Sequence, residues 1–250
     1  VRLDTIVLAD AINPLTSGKF IEVHTLLFYK DFKIVLEKYF DGFEYQWDAP
    51  NYRGEYISFQ ADMLHPTMSV TKSFASACVA IALDQGFIKD VNESIFNYLP
   101  DHQQYKKNGK EKITIEHLLT MTSGLEWQEW NAPHGTTAND VDKLYLVCSE
   151  DPLKCVLERP LANPPGEVFN YNGGGLVALG EIVKNASGIP LGDFARKYLF
   201  EPLSIDSTYW FQYNNGTYAS DGSLYLRPRD MLKFGVLYLD SGQWQNQQII

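Results

Sequence analysis

The sequence predicts an α+β (α/β) fold, an antiparallel sheet with a helical region, and three observations carry that prediction. Alternating apolar residues occur only near the N-terminus, helical periodicity fills the middle of the chain, and strands and helices do not alternate as a βαβ series requires. The chain has 250 residues, 45% hydrophobic and 21% charged, which excludes disorder as its main state.

Each element has its own signal. Phe20, Glu22 and His24 alternate with Ile21, Val23 and Thr25, and the apolar run Leu26-Leu27-Phe28-Tyr29 follows. Lys30-Asp31-Phe32-Lys33 makes a polar turn and a second strand runs from Ile34 to Phe40, so residues 20–39 read as a β-hairpin. Residues 41–65 are turn-rich and aromatic, without a period. A helix expected from Ser69 to Gln85 puts Phe74, Cys78, Ile81 and Ala82 on one face and stops at Gly86. Thr114 caps another helix, which Gly124 ends after Thr122-Ser123. Residues 126–140 read as loop, with helical pieces at about 140–148 and 152–158 after it. Pro164-Pro165-Gly166 is a break. Gly173-Gly174-Gly175 leads into a small-residue helix expected from Leu176 to Val183. Further helices cover Leu191 to Leu199 and begin at Pro228.

Composition narrows the partners. A net charge of −10 argues against nucleic acid, since phosphate binding needs clustered Lys and Arg. No apolar stretch reaches the roughly 20 residues that span a bilayer, so no transmembrane segment is expected. Metal-ligand spacings are absent and the five His are scattered, so neither a metal nor another cofactor is expected. Cys78 reads as a buried small hydrophobe. Cys148 and Cys155 stand either as a local disulfide or as two reduced thiols on neighbouring helices. The chain starts at Val1 without a Met, which leaves localisation open, with a periplasmic or secreted setting favoured over a cytoplasmic one.

The chemistry-bearing motif is Ser69-Val70-Thr71-Lys72. On a helix, residues three apart share a face, so Lys72 can bring its amine to the Ser69 hydroxyl. At a helix N-terminus, free backbone N–H groups and the positive dipole end favour the oxyanion of acyl transfer. The same helix buries Lys72 beside Val70, Phe74 and Ala75. Trp127, Trp130 and Trp210 are candidates to line a substrate cleft, with simple packing the alternative for each. His65 and His117 read as structural. There is no G-x-S-x-G elbow for a Ser-His-Asp triad.

Five segments in order resemble the serine β-lactamase and penicillin-binding-protein-like superfamily, in the branch of class C β-lactamases, family VIII carboxylesterases and 6-aminohexanoate-dimer hydrolases. They are His65 through Gly86, Thr114 through Leu125 (with Met121 where a His is usual), Pro165 through Tyr171, Leu199 through Ile205, and Leu226 through Met231. The resemblance implies a β-lactamase/transpeptidase-like fold with Ser69 as nucleophile, Lys72 and Tyr171 as its proton-handling partners, and the backbone N–H of Ser69 as one oxyanion donor. Either a neutral Lys72 or a Tyr171 phenolate held by charged Lys72 would serve as general base.

One position departs from the pattern. The group has Tyr-x-Asn where this chain reads Tyr171-Asn172-Gly173. In an extended segment residues two apart point the same way, so the amide expected beside Tyr171 is missing at Gly173. Asn172 substitutes only if the backbone turns there. On that reading Gly173→Asn restores the amide and raises β-lactam turnover. The expected activity is therefore hydrolysis of a small-molecule ester or amide through an acyl-enzyme, first a carboxylesterase. A β-lactamase or D-Ala-D-Ala carboxypeptidase, and a non-catalytic binding module of the same fold, are the alternatives. Residues 1–250 are expected to form a single domain that is incomplete at its C-terminus. The resembled fold completes its sheet with three C-terminal strands, which roughly 60–100 further residues or a second chain would supply.

Overall fold

The computed structural model describes residues 4–17, 19 and 20, and 22–250. It opens with helix α1 (Thr5–Thr16), strands β1 (Thr25–Lys30), β2 (Lys33–Tyr39), β3 (Asp41–Tyr45), β4 (Arg53–Ser58) and β5 (His65–Pro66), and helix α2 (Thr71–Asp84). Helices α3 (Ile115–Leu119), α4 (Asp140–Leu146), α5 (Pro152–Glu158), α6 (Gly173–Ser187) and α7 (Leu191–Ala195) follow. Strands β6 (Thr208–Trp210) and β7 (Leu224–Leu226), helix α8 (Pro228–Leu239), and strands β8 (Gln243–Trp244) and β9 (Gln247–Gln248) complete the α+β order. One compact unit holds the described residues up to Pro66 together with Tyr225–Leu239, and the other holds Thr67–Leu224 with Asp240–Ile250.

In the first unit β1 and β2 form the expected antiparallel hairpin, with Lys30 opposite Lys33. The turn residues Asp31 and Phe32 both have positive φ, 49° and 61°, the two-residue turn whose twist matches that of the strands. The first strand begins at Thr25, not at Phe20; Ile21, part of the expected alternation, lies outside the described residues. Residues 41–65 are not aperiodic loop. They contain a second antiparallel pair, β3 with β4, whose register shifts between Phe43 and Tyr45. That irregularity breaks the period of two from which strands are read. Helix α1 had no sequence signal attached to it; Asp4 caps it by accepting from the amides of Ile6 and Val7. Helix α8 packs on β1, and Arg229 donates two hydrogen bonds to the Glu37 carboxylate, both 2.7 Å.

His65 takes the structural role expected of it. It faces Leu226 across β5 and β7, and its ring lies 4.8 Å from Phe59, on which His24 also stacks at 3.8 Å. Burial, with His24 adding to it, pushes His65 down to about 4. The Nε2 atoms of His24 and His65 have no hydrogen-bond partner among the described residues. Unfolded histidine titrates near 6.5, so between that value and about 4 the unfolded chain binds more protons than the folded one. This contribution is fully present above pH 6.5 and is lost as pH falls toward 4, on the order of 3 kcal/mol. Thermal midpoints measured from pH 7 to 4 should fall less steeply for His65→Phe than for the wild type; parallel curves would refute the assignment.

The second unit is organised around α2 and α6. Phe74, Ala75, Cys78, Ile81 and Ala82 of α2 are buried, as are Leu176 to Leu179, Ile182 and Val183 of α6. Burial pushes the Cys78 thiol up to about 12. Thr114 caps α3 as expected, and His117 reciprocates by accepting from the Thr114 amide, a structural role. The helix ends at Leu119, well before Gly124. The Leu191–Leu199 helix divides into α7 and a π-helical turn, Arg196–Phe200. Cys148 and Cys155 form the disulfide alternative. Among the described residues no helix is long and apolar enough to cross a membrane.

Candidate active site

The serine and lysine meet at the start of α2. Met68–Val70 forms a 3-10 turn ahead of it, so Ser69 stands before the α-helix and not in its first turn. Met68 has φ 47°, a left-handed conformation at the residue preceding the nucleophile candidate. Thr67 fastens this turn. Its amide and hydroxyl both donate to the Leu224 carbonyl, at 2.8 and 2.9 Å, and its hydroxyl lies 2.8 Å from that of Thr71. Ser69 is exposed while Lys72 is buried. The Lys72 ammonium donates to Ser69 Oγ at 3.2 Å and to the backbone carbonyl of Asp221 at 2.5 Å. The positive end of α2 points toward Ser69, where an oxyanion would form. Val70 does not help to bury Lys72; it is exposed, because the 3-10 turn rotates it outward relative to a continuous α-helix.

Tyr171 belongs to the same cluster: its ring centroid is 5.0 Å from Lys72 Nζ. Trp130 is 80% exposed and its ring lies 5.2 Å from that of Tyr171, so it borders the site from the solvent side. The other two tryptophans are buried. The indole N–H of Trp127 donates to Glu129 at 2.8 Å. That of Trp210 donates to the Ala219 carbonyl at 2.9 Å.

Asn172 keeps the extended backbone expected of it, with φ −140° and ψ 99°. The chain turns into α6 only after this residue, which is the helix N-cap, and its Oδ1 accepts from the Gly175 amide at 2.9 Å. Its Nδ2 is buried without a partner among the described residues. The helix opens at Gly173, three residues before Leu176, and the Gly-Gly-Gly run is its first turn. Close approach explains these glycines. A Cβ on Gly174 would sit 2.6 Å from the Trp127 ring and 2.7 Å from Val156. One on Gly173 would meet Glu129 Oε2 at 3.0 Å, and Asp221 and Val141 at 3.1 Å. Gly173→Asn therefore does not simply restore an amide, because the space it needs is filled.

What fills it is a residue that sequence reasoning missed. Glu129 is buried; its Oε2 accepts from Trp127 Nε1 at 2.8 Å and from the Gly173 amide at 2.7 Å, and its Oε1 lies 3.9 Å from Lys72 Nζ. Asp221 was also missed. Its backbone carbonyl holds Lys72, while its buried carboxyl accepts from Tyr145 at 2.8 Å and Tyr213 at 3.2 Å. Burial raises the Asp221 carboxyl above its ordinary value, against the opposing charge of Lys72. The available signal was the carboxylate between two tryptophans, Trp127-Gln128-Glu129-Trp130, together with the glycine in place of an amide. Among the described residues no cluster of His, Cys, Asp and Glu could hold a metal ion.

The chain is 27% identical over 189 residues to ML-236A carboxylate methylbutanoyltransferase mlcH of Penicillium citrinum, covering 64% of this chain and 44% of that protein. It is 28% identical over 159 residues to acyltransferase mokF of Monascus pilosus, covering 58% and 37% respectively. The chain thus spans less than half the length of these curated relatives. The solved structure of a putative 6-aminohexanoate-dimer hydrolase from Bacillus anthracis shares its fold, with a TM-score of 0.73 at 19% identity over 97% of this chain and 59% of that one. A family model described as Beta-lactamase matches residues 24–249, nearly the whole sequence, and the chain belongs to the Beta-lactamase family.

Proposed function

We propose that this protein is a serine hydrolase acting on small or medium-sized esters, through Ser69 with Lys72 and Tyr171. The observation that carries this reading is the Lys72 ammonium 3.2 Å from an exposed Ser69 hydroxyl just ahead of α2. Ser69 Oγ attacks the ester carbonyl carbon, and its proton passes to the Lys72–Tyr171 pair. The carbon–oxygen bond to the alcohol breaks, that alcohol leaves with a proton, and the acyl group stays on Ser69. Water then attacks the acyl-enzyme, the acid departs and Ser69 regains its proton.

Esters are favoured over β-lactams because the Glu129 carboxylate lies against Gly173, where the resembled group carries a side-chain amide. A carboxylate repels the carbonyl oxygen that an amide N–H would bind. A second reading, acyl transfer to an alcohol, is favoured by the names of the two curated relatives, an acyltransferase and a methylbutanoyltransferase. The disulfide between Cys148 and Cys155 supports a periplasmic or secreted setting.

Turnover of p-nitrophenyl butyrate and of nitrocefin, with and without added primary alcohol, tests these readings together. We expect butyrate release with little nitrocefin hydrolysis. Efficient nitrocefin turnover would replace the esterase by a β-lactamase. A butyrate ester of the added alcohol as main product would make the protein a transferase, and no turnover of either substrate would leave a binding module.

A further inference from the structure

We propose that Glu129 is the positioning residue of this centre: its carboxylate pairs with Lys72 and holds it against Ser69, from beside Gly173, where an amide was expected. The inference rests on the reading of Ser69 and Lys72 as the catalytic pair. Lys72 Nζ donates to Ser69 Oγ at 3.2 Å and to the Asp221 carbonyl at 2.5 Å, and Glu129 Oε1 lies 3.9 Å away, within ion-pair distance.

Glu129 itself is fixed. Trp127 and the Gly173 amide both donate to Oε2, which leaves Oε1 facing Lys72. A buried carboxylate persists in charged form only when paired and hydrogen-bonded. Among the described residues Lys72 is the cation within ion-pair distance of it. The absent side chain at Gly173 belongs to the same device, because a Cβ there would press on Glu129 Oε2 at 3.0 Å. The glycine makes room for the carboxylate, and its amide orients it.

The test is Glu129→Gln in the intact protein. Glutamine keeps an acceptor for Trp127 and Gly173 but removes the negative charge. The other titratable groups around the pair are Tyr171 ahead of α6, and Asp221 with Tyr145 of α4 and Tyr213 bonded to it. They are unchanged in the variant. We expect kcat for p-nitrophenyl butyrate to fall about tenfold or more and KM to change little. The pH profile should also move, since removing a neighbouring negative charge disfavours an ammonium. An unchanged kcat and pH profile would overturn the proposal.

A second measurement does not need activity. Lys72→Met, alone and combined with Glu129→Gln, is followed by thermal unfolding. The single variant strands a buried carboxylate and should lose at least about 5 °C more than the lysine change costs in the combined variant. Additive losses would show that the two side chains do not interact and would overturn the proposal as well. A wild-type protein without esterase activity would sink the ester-hydrolase reading, while the unfolding cycle would still decide whether Glu129 holds Lys72.

Discussion

Ser69→Ala should remove the proposed ester hydrolysis, by about 10³-fold or more, and leave the fold intact. The size follows from what is lost. With no hydroxyl there is no acyl-enzyme, and nucleophile deletions in serine hydrolases leave only the catalysis supplied by binding and oxyanion donors. The fold survives because Ser69 is exposed and contributes one hydrogen bond to this cluster, acceptance from Lys72. The Thr67, Thr71 and Leu224 bonds that fasten the turn do not involve it. A fluorophosphonate should label wild-type protein once, on the peptide containing Ser69, and should not label the variant. A label on another residue, or an active Ser69→Ala protein with a native unfolding curve, would remove Ser69 from the reaction.

The sequence disclosed the parts of this site that are local. Ser69 and Lys72 are three apart, and the i, i+3 geometry of a helix is enough to bring them together. The 3-10 turn at Met68–Val70 preserved the encounter while changing the neighbours, which is why Val70 proved exposed. Tyr171 was singled out only by the family resemblance of Pro165 through Tyr171, the segment that precedes a helix. The start of that helix was not legible, because three glycines in succession carry a poor helix propensity. They are helical here for a tertiary reason, the close approach of Trp127, Val156 and Glu129. Glu129 and Asp221 were invisible for the same kind of reason. Both lie in aperiodic stretches, and each reaches Lys72 only through long-range contacts. In the first unit the β1–β2 hairpin was read from alternation and its turn, whereas β3 and β4 were hidden by a register shift among aromatic residues.

Lys72→Ala and Tyr171→Phe should each lower kcat by at least about 10²-fold, the usual scale of acid–base effects and about 2.7 kcal/mol. Combined, they should cost much less than the product of the two. The reason is the shared proton path: Lys72 Nζ contacts Ser69 Oγ and lies 5.0 Å from the Tyr171 ring, so removing either group disables the other. Folding must be controlled separately for the lysine variant, since Lys72→Ala leaves the Glu129 carboxylate buried and unpaired, a loss on the order of 3–5 kcal/mol. Adding Glu129→Gln to it should restore stability without restoring activity, which separates a collapsed site from a missing proton carrier. Tyr171→Phe retains the ring against Trp130 and loses only the hydroxyl, so its effect reports chemistry more than packing. Losses from the two variants that multiply independently would mean that one of the residues only packs, and near-wild-type kcat in Tyr171→Phe would assign that role to the tyrosine and leave Lys72 as the base.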